Sequence, residues 1–178
     1  MKTRSTTILG LIHKKRAAMA GDGQVTLEDT VLKTRANKIR TLQDGAILAG
    51  FAGTAADALA LFELLERKID EHDGNLSRAV VEMAKEWRTD KMLHRLDAVI
   101  AVTDAAHIFL VSGNGDVVEP DDGIVAIGSG GNYALAAARA LKMANPRLTA
   151  EKIAATAMEI AADICIYTNR NITVETLK

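Results

Sequence analysis

The stretch from residue 6 to residue 23, TTILGLIHKKRAAMAGDG, decides how the rest of the chain is read. Thr6–Ile12 and Arg16–Ala20 are apolar runs of strand length. Basic residues separate them, and Gly21-Asp22-Gly23 closes the second run. That punctuation predicts a β-hairpin that opens the fold. Downstream, Ala46–Ala52 is a third apolar run, held between Asp44-Gly45 and Gly53, with the length of a buried strand. After it the period changes: Thr54 reads as an N-cap, and Ala58, Leu61, Phe62, Leu65 and Ile69 recur at helical spacing until Gly74. Leu76, Ala79, Val80, Met83, Ala84 and Trp87 give a second helix, antiparallel to the first because the connection is short.

The second half repeats this order. Ala98–Val102, His107–Ser112 and Ile124–Ile127 read as strands, and Gly128-Ser129-Gly130-Gly131 breaks the pattern. A helix from Asn132 to about Ala144 and another from Thr149 to Tyr167 follow, with a short strand at Ile172–Val174. Strands then paired helices, twice, imply an α+β protein in which both halves contribute to shared sheets: a four-layer α/β/β/α sandwich.

Composition narrows the function classes. The chain has 178 residues, 22 basic and 23 acidic side chains and 48% hydrophobic residues, enough to build one core and too balanced to hold nucleic acid by charge. Aromatics at 3% are too few for a base-stacking surface. Cys165 is the only cysteine, which excludes a disulfide framework and a multi-cysteine zinc site and suits a reducing cytoplasm. His13, His72, His94 and His107 lack regular ligand spacing. Neither a signal peptide nor a membrane-spanning segment is expected.

Four local features carry chemical potential: Thr6-Thr7 at a strand start, Gly21-Asp22-Gly23-Gln24, the basic segment Lys33 to Arg40, and the two glycine turns Gly50-Phe51-Ala52-Gly53 and Gly128-Ser129-Gly130-Gly131. Each alone is weak. The second glycine turn, ahead of a helix, fits a phosphate cradle as well as a backbone turn, so a nucleotide-binding module is one reading. No G-x-x-x-x-G-K-[ST] segment occurs.

Taken in order, these features resemble the HslV family of bacterial proteases, relatives of the proteasome β subunits. The resemblance runs over the chain from Thr6 onward. It rests on Thr6-Thr7-Ile8, Ala20-Gly21-Asp22-Gly23-Gln24, Ala49-Gly50-Phe51-Ala52-Gly53, Ala56-Asp57, Glu86-Trp87-Arg88-Thr89-Asp90, Gly113-Asn114-Gly115-Asp116-Val117, Ala126-Ile127-Gly128-Ser129-Gly130-Gly131 and Asp163 to Asn169. It implies a threonine endopeptidase with an N-terminal nucleophile. It also implies a homo-oligomeric double hexameric ring, degrading unfolded polypeptides fed by an HslU-type ATPase unfoldase, with ATP used by the partner. Thr6 would be the nucleophile, with Lys38 and Asp22 setting its electrostatics, the Gly50 N–H in the oxyanion hole and Ser129 as a helper hydroxyl. A sodium ion would sit on the main-chain carbonyls of Ala162, Cys165 and Thr168, although Ala162 stands where some relatives carry glycine.

A threonine hydroxyl is a weak nucleophile without a base, and an α-amine with a pKa of about 7.7–8.0 supplies one within the same residue. The amine exists only if Thr6 is the first residue. In family members whose threonine directly follows the initiator methionine, loss of that methionine suffices. Here residues 1–5 form a leader that must come off, leaving residues 6–178 as a single peptidase domain, with Ser5 and Thr7 the competing first residues. An inactive ring subunit whose leader stays in place is the remaining alternative.

Overall fold

The structure is a computed structural model and describes residues 3–4, 6–53, 55–90, 98–112 and 114–177. In chain order the strands of the first half are β1 (Thr3–Arg4), β2 (Thr7–His13), β3 (Arg16–Asp22), β4 (Val25–Leu27), β5 (Thr30–Lys33), β6 (Ile39–Leu42) and β7 (Ile47–Ala52). Helices α1 (Ala55–Glu71) and α2 (Leu76–Thr89) follow. Then come β8 (Val99–Thr103), β9 (Ile108–Ser112), β10 (Val117–Val118), β11 (Ile124–Gly128), α3 (Gly131–Ala144), α4 (Ala150–Ile164) and β12 (Ile172–Thr176). The Thr54 cap, the side chains of Ala56 and Ala58, His94 and Gly113 lie outside the described residues, as do Met1, Lys2 and Ser5 of the leader.

The opening hairpin forms as expected. β2 and β3 pair antiparallel from Ile8↔Gly21 to His13↔Arg16. The two-residue turn places Lys14 and Lys15 at φ 52° and 61°, the left-handed pair whose twist matches that of the strands. One antiparallel sheet has the order β11-β2-β3-β12 and the other β10-β9-β8-β7-β6. Each therefore mixes strands from both halves of the chain.

Strand alternation builds the layers. Leu9, Leu11, Ala18 and Ala20 face α3 and α4, packing on Ala134, Ala138, Ile153, Ala157 and Met158. Their neighbours Ile8, Ala17 and Met19 point the other way, toward Leu48, Ala101 and Ile108 of the second sheet. On that sheet's far face Ala49, Ile100, Val102 and Val111 meet Leu61, Leu65, Met83 and Trp87 of α1 and α2. The result is the four-layer α/β/β/α sandwich. Alanine dominates the buried faces of α3 and α4, while larger aliphatic and aromatic side chains fill the α1–α2 side.

Three details differ from the sequence reading. The last helix stops at Ile164, not Tyr167: Cys165 turns extended at φ −92°, ψ 114°, and the Thr168 N–H bonds back to the Cys165 carbonyl. The sequence reading places no element in the basic segment Lys33 to Arg40, but Lys33 ends β5 and β6 begins at Ile39, with Ile39 and Leu42 buried. A small third sheet, β1-β4-β5, was hidden because its strands are short and β5 is exposed throughout. In it Thr3 pairs with Leu27 and Arg4 with Thr26.

Candidate active site

The register of the first hairpin builds the site. Ile8 lies opposite Gly21, so Thr7 stands beside Asp22; on the other flank β11 sets Gly128 opposite Thr7. β12 starts with Ile172 opposite Asp22, which brings residues 168–171 to the same end. β6, in the facing sheet, carries Lys38 in just ahead of Ile39.

Asp22 is 1% exposed and its carboxylate accepts four hydrogen bonds. Oδ1 takes the Thr7 N–H and the Lys38 ammonium, both at 2.8 Å. Oδ2 takes the Gln24 N–H at 2.9 Å and the Asn169 N–H at 3.3 Å. Lys38, 5% exposed, also donates to the Gln24 carbonyl at 2.6 Å. Burial, which disfavours the ammonium, pulls the Lys38 pKa below its ordinary value, and the attraction and hydrogen bond of Asp22 only partly oppose it.

Thr6 is 4% exposed, and its carbonyl accepts the Ser129 N–H at 2.9 Å. The structure thus joins Ser129 to Thr6 through the backbone, and the side chain of Ser129 lies on an exposed residue. Gly128, at φ 87°, makes this approach possible, since a Cβ there would sit 1.8 Å from the Thr6 carbonyl oxygen. Gly130 donates its N–H to Thr7 Oγ1 at 2.9 Å, and Thr7 Oγ1 pairs with Thr168 Oγ1 at 2.7 Å. The amides of Ser129 and Gly130, which a phosphate would need, are therefore engaged by Thr6 and Thr7. This argues against the nucleotide-cradle reading.

Thr6, Asp22, Lys38 and Ser129 are brought to one place. Gly50 reaches the region from the second sheet, opposite Ile39, and a Cβ there would meet Ile8 Cγ2 at 2.8 Å. Its glycine identity thus has a packing cause in addition to any role toward substrate. Ala162 lies in the last turn of α4, Cys165 caps it, and buried Thr168 follows in the turn. The Ala162 carbonyl, in the last turn, has no intrahelical donor left to it, while the Cys165 carbonyl already accepts the Thr168 N–H. Main-chain oxygens of this kind are the hard donors that a cation such as sodium takes.

Sequence reasoning gave no role to the Thr7 and Thr168 hydroxyls, the Gly130 N–H, or Asn169. Only the run of hydrogen-bonding residues Thr168-Asn169-Arg170-Asn171 hinted at a polar cluster, and nothing in the sequence tells which strand end it meets. Thr7→Val keeps the side-chain volume but leaves the Gly130 N–H and the Thr168 hydroxyl without their partner. Such loss inside the protein is expected to lower stability by about 1–3 kcal/mol, read as a lower denaturant midpoint at unchanged slope.

A family model described as "Proteasome subunit" matches residues 2–177. An "ATP-dependent protease subunit HslV" from Geobacillus sp. (strain WCH70) is 59% identical over 175 residues, covering 97% of this chain and 97% of that protein. The protein of the same name from Bacillus cereus (strain B4264) is 58% identical over the same length and shares. The crystal structure of eukaryotic HslV from Trypanosoma brucei superposes with a TM-score of 0.91 at 48% identity, covering 97% of this chain and 99% of that one.

Proposed function

We propose, from the premise that this chain belongs to the proteasome-subunit family and is an HslV-type threonine protease subunit, that Thr6 is its nucleophile once residues 1–5 have been removed. The observation that carries the assignment is the buried Lys38–Asp22 pair, whose carboxylate also holds the N–H of the residue next to Thr6.

In this mechanism the freed α-amine of Thr6 accepts the proton of its own hydroxyl as Oγ1 attacks the scissile carbonyl. The Lys38 ammonium favours the developing alkoxide and keeps the neighbouring amine neutral, and Asp22 fixes the ammonium in place. The Gly50 N–H stabilises the oxyanion. The amine, protonated in the first step, returns its proton to the departing amide nitrogen, and water then releases the acyl-enzyme. Ser129, tied to the Thr6 carbonyl, holds the nucleophile's backbone and offers a hydroxyl for proton relay.

Sodium on the carbonyls of Ala162, Cys165 and Thr168 would pin the turn that presents the Thr168 hydroxyl to Thr7. A chain of this length has a radius of gyration of about 16 Å and cannot enclose a chamber alone. Restricted access to Thr6 therefore calls for a ring of copies, read here as a double hexamer, with an HslU-type ATPase supplying unfolded polypeptide. Among the described residues no helix is long and apolar enough to cross a membrane.

The test is hydrolysis of a fluorogenic peptide by the assembled protein, with and without the unfoldase and ATP. Wild type is expected to cleave and Thr6→Ala to be inert at equal assembly. Cleavage by Thr6→Ala at the wild-type rate would refute the assignment.

The pH profile gives a second check. Activity should rise as the α-amine loses its proton, at a lower pH than an ordinary α-amine, of pKa about 7.7–8.0, would give, because the Lys38 ammonium beside it disfavours its charged form. It should fall again as Lys38 loses its own proton. Because the folded protein lowers the Lys38 pKa, that alkaline fall comes earlier than an exposed lysine, near pH 10.4, would give. In Lys38→Arg, whose guanidinium does not titrate in this range, whatever activity remains should lack the alkaline fall.

A further inference from the structure

We propose that Asn169 is a positioning residue for this reaction, its side-chain amide holding the Asp22 strand end and the Lys38 segment at a fixed separation. The inference rests on reading Thr6, Asp22 and Lys38 as the reactive centre.

Asp22 and Lys38 arrive on different sheets, and the segment before β6 lies directly on the 22–24 turn. The Ala36 N–H bonds to the Gly23 carbonyl at 2.9 Å. A Cβ on Gly23 would come within 2.4 Å of the Thr34 carbonyl oxygen and 2.9 Å of Arg35 Cα. Asn169 spans the two pieces. Its Oδ1 accepts the Gly23 N–H at 3.2 Å and the Asn171 N–H at 3.1 Å. Its Nδ2 donates to the Thr34 carbonyl at 2.9 Å, four residues before Lys38. Its backbone N–H bonds Asp22 Oδ2 at 3.3 Å.

Only one orientation of the amide satisfies this set, because two donors face one end and a carbonyl faces the other. Aspartate could serve the acceptor end alone, and alanine neither. Asn171 Nδ2 adds a second donor to the Thr34 carbonyl at 2.8 Å but makes no contact with the Gly23 N–H. Asn169 thus grips both segments from a third one, independently of the Lys38–Asp22 contact that it positions. Transition-state stabilisation by a fixed charge depends steeply on its placement, and a shift of about 1 Å is worth about a hundredfold in rate.

The experiment uses the assembled protein and compares wild type with Asn169→Ala, Asn169→Asp, Asn171→Ala, Asp22→Asn and the Asp22→Asn/Asn169→Ala double variant. A peptidyl vinyl sulfone counts reactive Thr6 by intact mass, and kcat and KM for a fluorogenic peptide are expressed per labelled site. Asn169→Ala should lower kcat at least about tenfold with KM within about twofold and full labelling at a slower rate. Asn171→Ala should lose less. In the Asp22→Asn background, labelling should slow by less than about twofold on removing Asn169, because the group it positions has already been altered.

A kcat per labelled site within about twofold of wild type in Asn169→Ala would overturn the proposal, as would an undiminished effect in the Asp22→Asn background. If Asn169→Ala fails to assemble, Asn169→Asp keeps the Gly23 contact and isolates the donor to Thr34, and wild-type kcat there would overturn the proposal as well. Failure of wild type itself to take label at Thr6 would bring down the reading of the reactive centre, a different result from unimpaired Asn169 variants on a labelled Thr6.

Discussion

Lys38→Ala is expected to leave peptide hydrolysis at about one hundredth to one thousandth of wild type, the loss typical when a preorganised group aimed at developing negative charge, here the Thr6 alkoxide, is removed. The same substitution strands the Asp22 carboxylate, which keeps its Thr7, Gln24 and Asn169 N–H donors but loses its cation. Breaking one side of a buried ion pair costs about 3–5 kcal/mol. Stability and activity will therefore fall together, and the single variant cannot separate them. The pair Lys38→Met with Asp22→Asn does: with both charges gone, most of the lost stability should return while hydrolysis stays at the Lys38→Ala level. Thermal melts and site-titrated kcat on the same preparations measure both. Recovery of activity along with stability would mean that Lys38 acts only as a packing element.

Gly128→Ala is expected to disable the site from the backbone. At φ 87° any L side chain is strained, and its Cβ would lie 1.8 Å from the Thr6 carbonyl oxygen. The strand end must move, and the 2.9 Å bond from the Ser129 N–H to that carbonyl goes with it. A displacement of this size at the nucleophile should cost at least about a hundredfold in kcat. Gly45→Ala is the control: Gly45 also has a left-handed backbone, φ 95°, but nothing lies within 4 Å of a Cβ there. It should cost about 1 kcal/mol of stability and leave kcat unchanged. Equal kcat in the two variants would show that the Gly128 contact with Thr6 carries no function.

The contrast between these two glycines shows what the sequence could and could not disclose. Both were readable as turn residues, yet only the β2–β11 register tells that one of them touches Thr6. The layers themselves were legible, because Ile8-Leu9, Leu48-Ala49 and Ile100-Ala101 alternate between two buried faces and the helices after β7 and β11 carry continuous apolar stripes. The β4–β5 hairpin was not, since Thr30–Lys33 is exposed along its length and offers no buried face for a pattern to reveal. Lys38 and Asp22 were named through a family resemblance, whereas spacing alone would have left Lys38 among several solvated cations. Asn169 stayed silent because its role depends on three segments, around Asp22, Thr34 and β12, that only the folded chain brings together. The end of α4 was misplaced for a related reason. The apolar run Ile164-Cys165-Ile166 carries no glycine or proline to mark a stop, but Thr168 is held to Thr7 in the turn that follows the helix.

The leader bears most directly on the central claim. Thr3 and Arg4 pair with Leu27 and Thr26 as a short edge strand, and as long as they stay attached the Thr6 nitrogen is an amide without basicity. The decisive measurement is the intact mass of the assembled, peptide-cleaving protein before and after reaction with a peptidyl vinyl sulfone, with the modified residue located by fragmentation. The account predicts a chain that begins at Thr6 and one adduct per subunit, on Thr6. An active assembly that retains residues 1–5, or an adduct on Ser5 or Thr7, would contradict it.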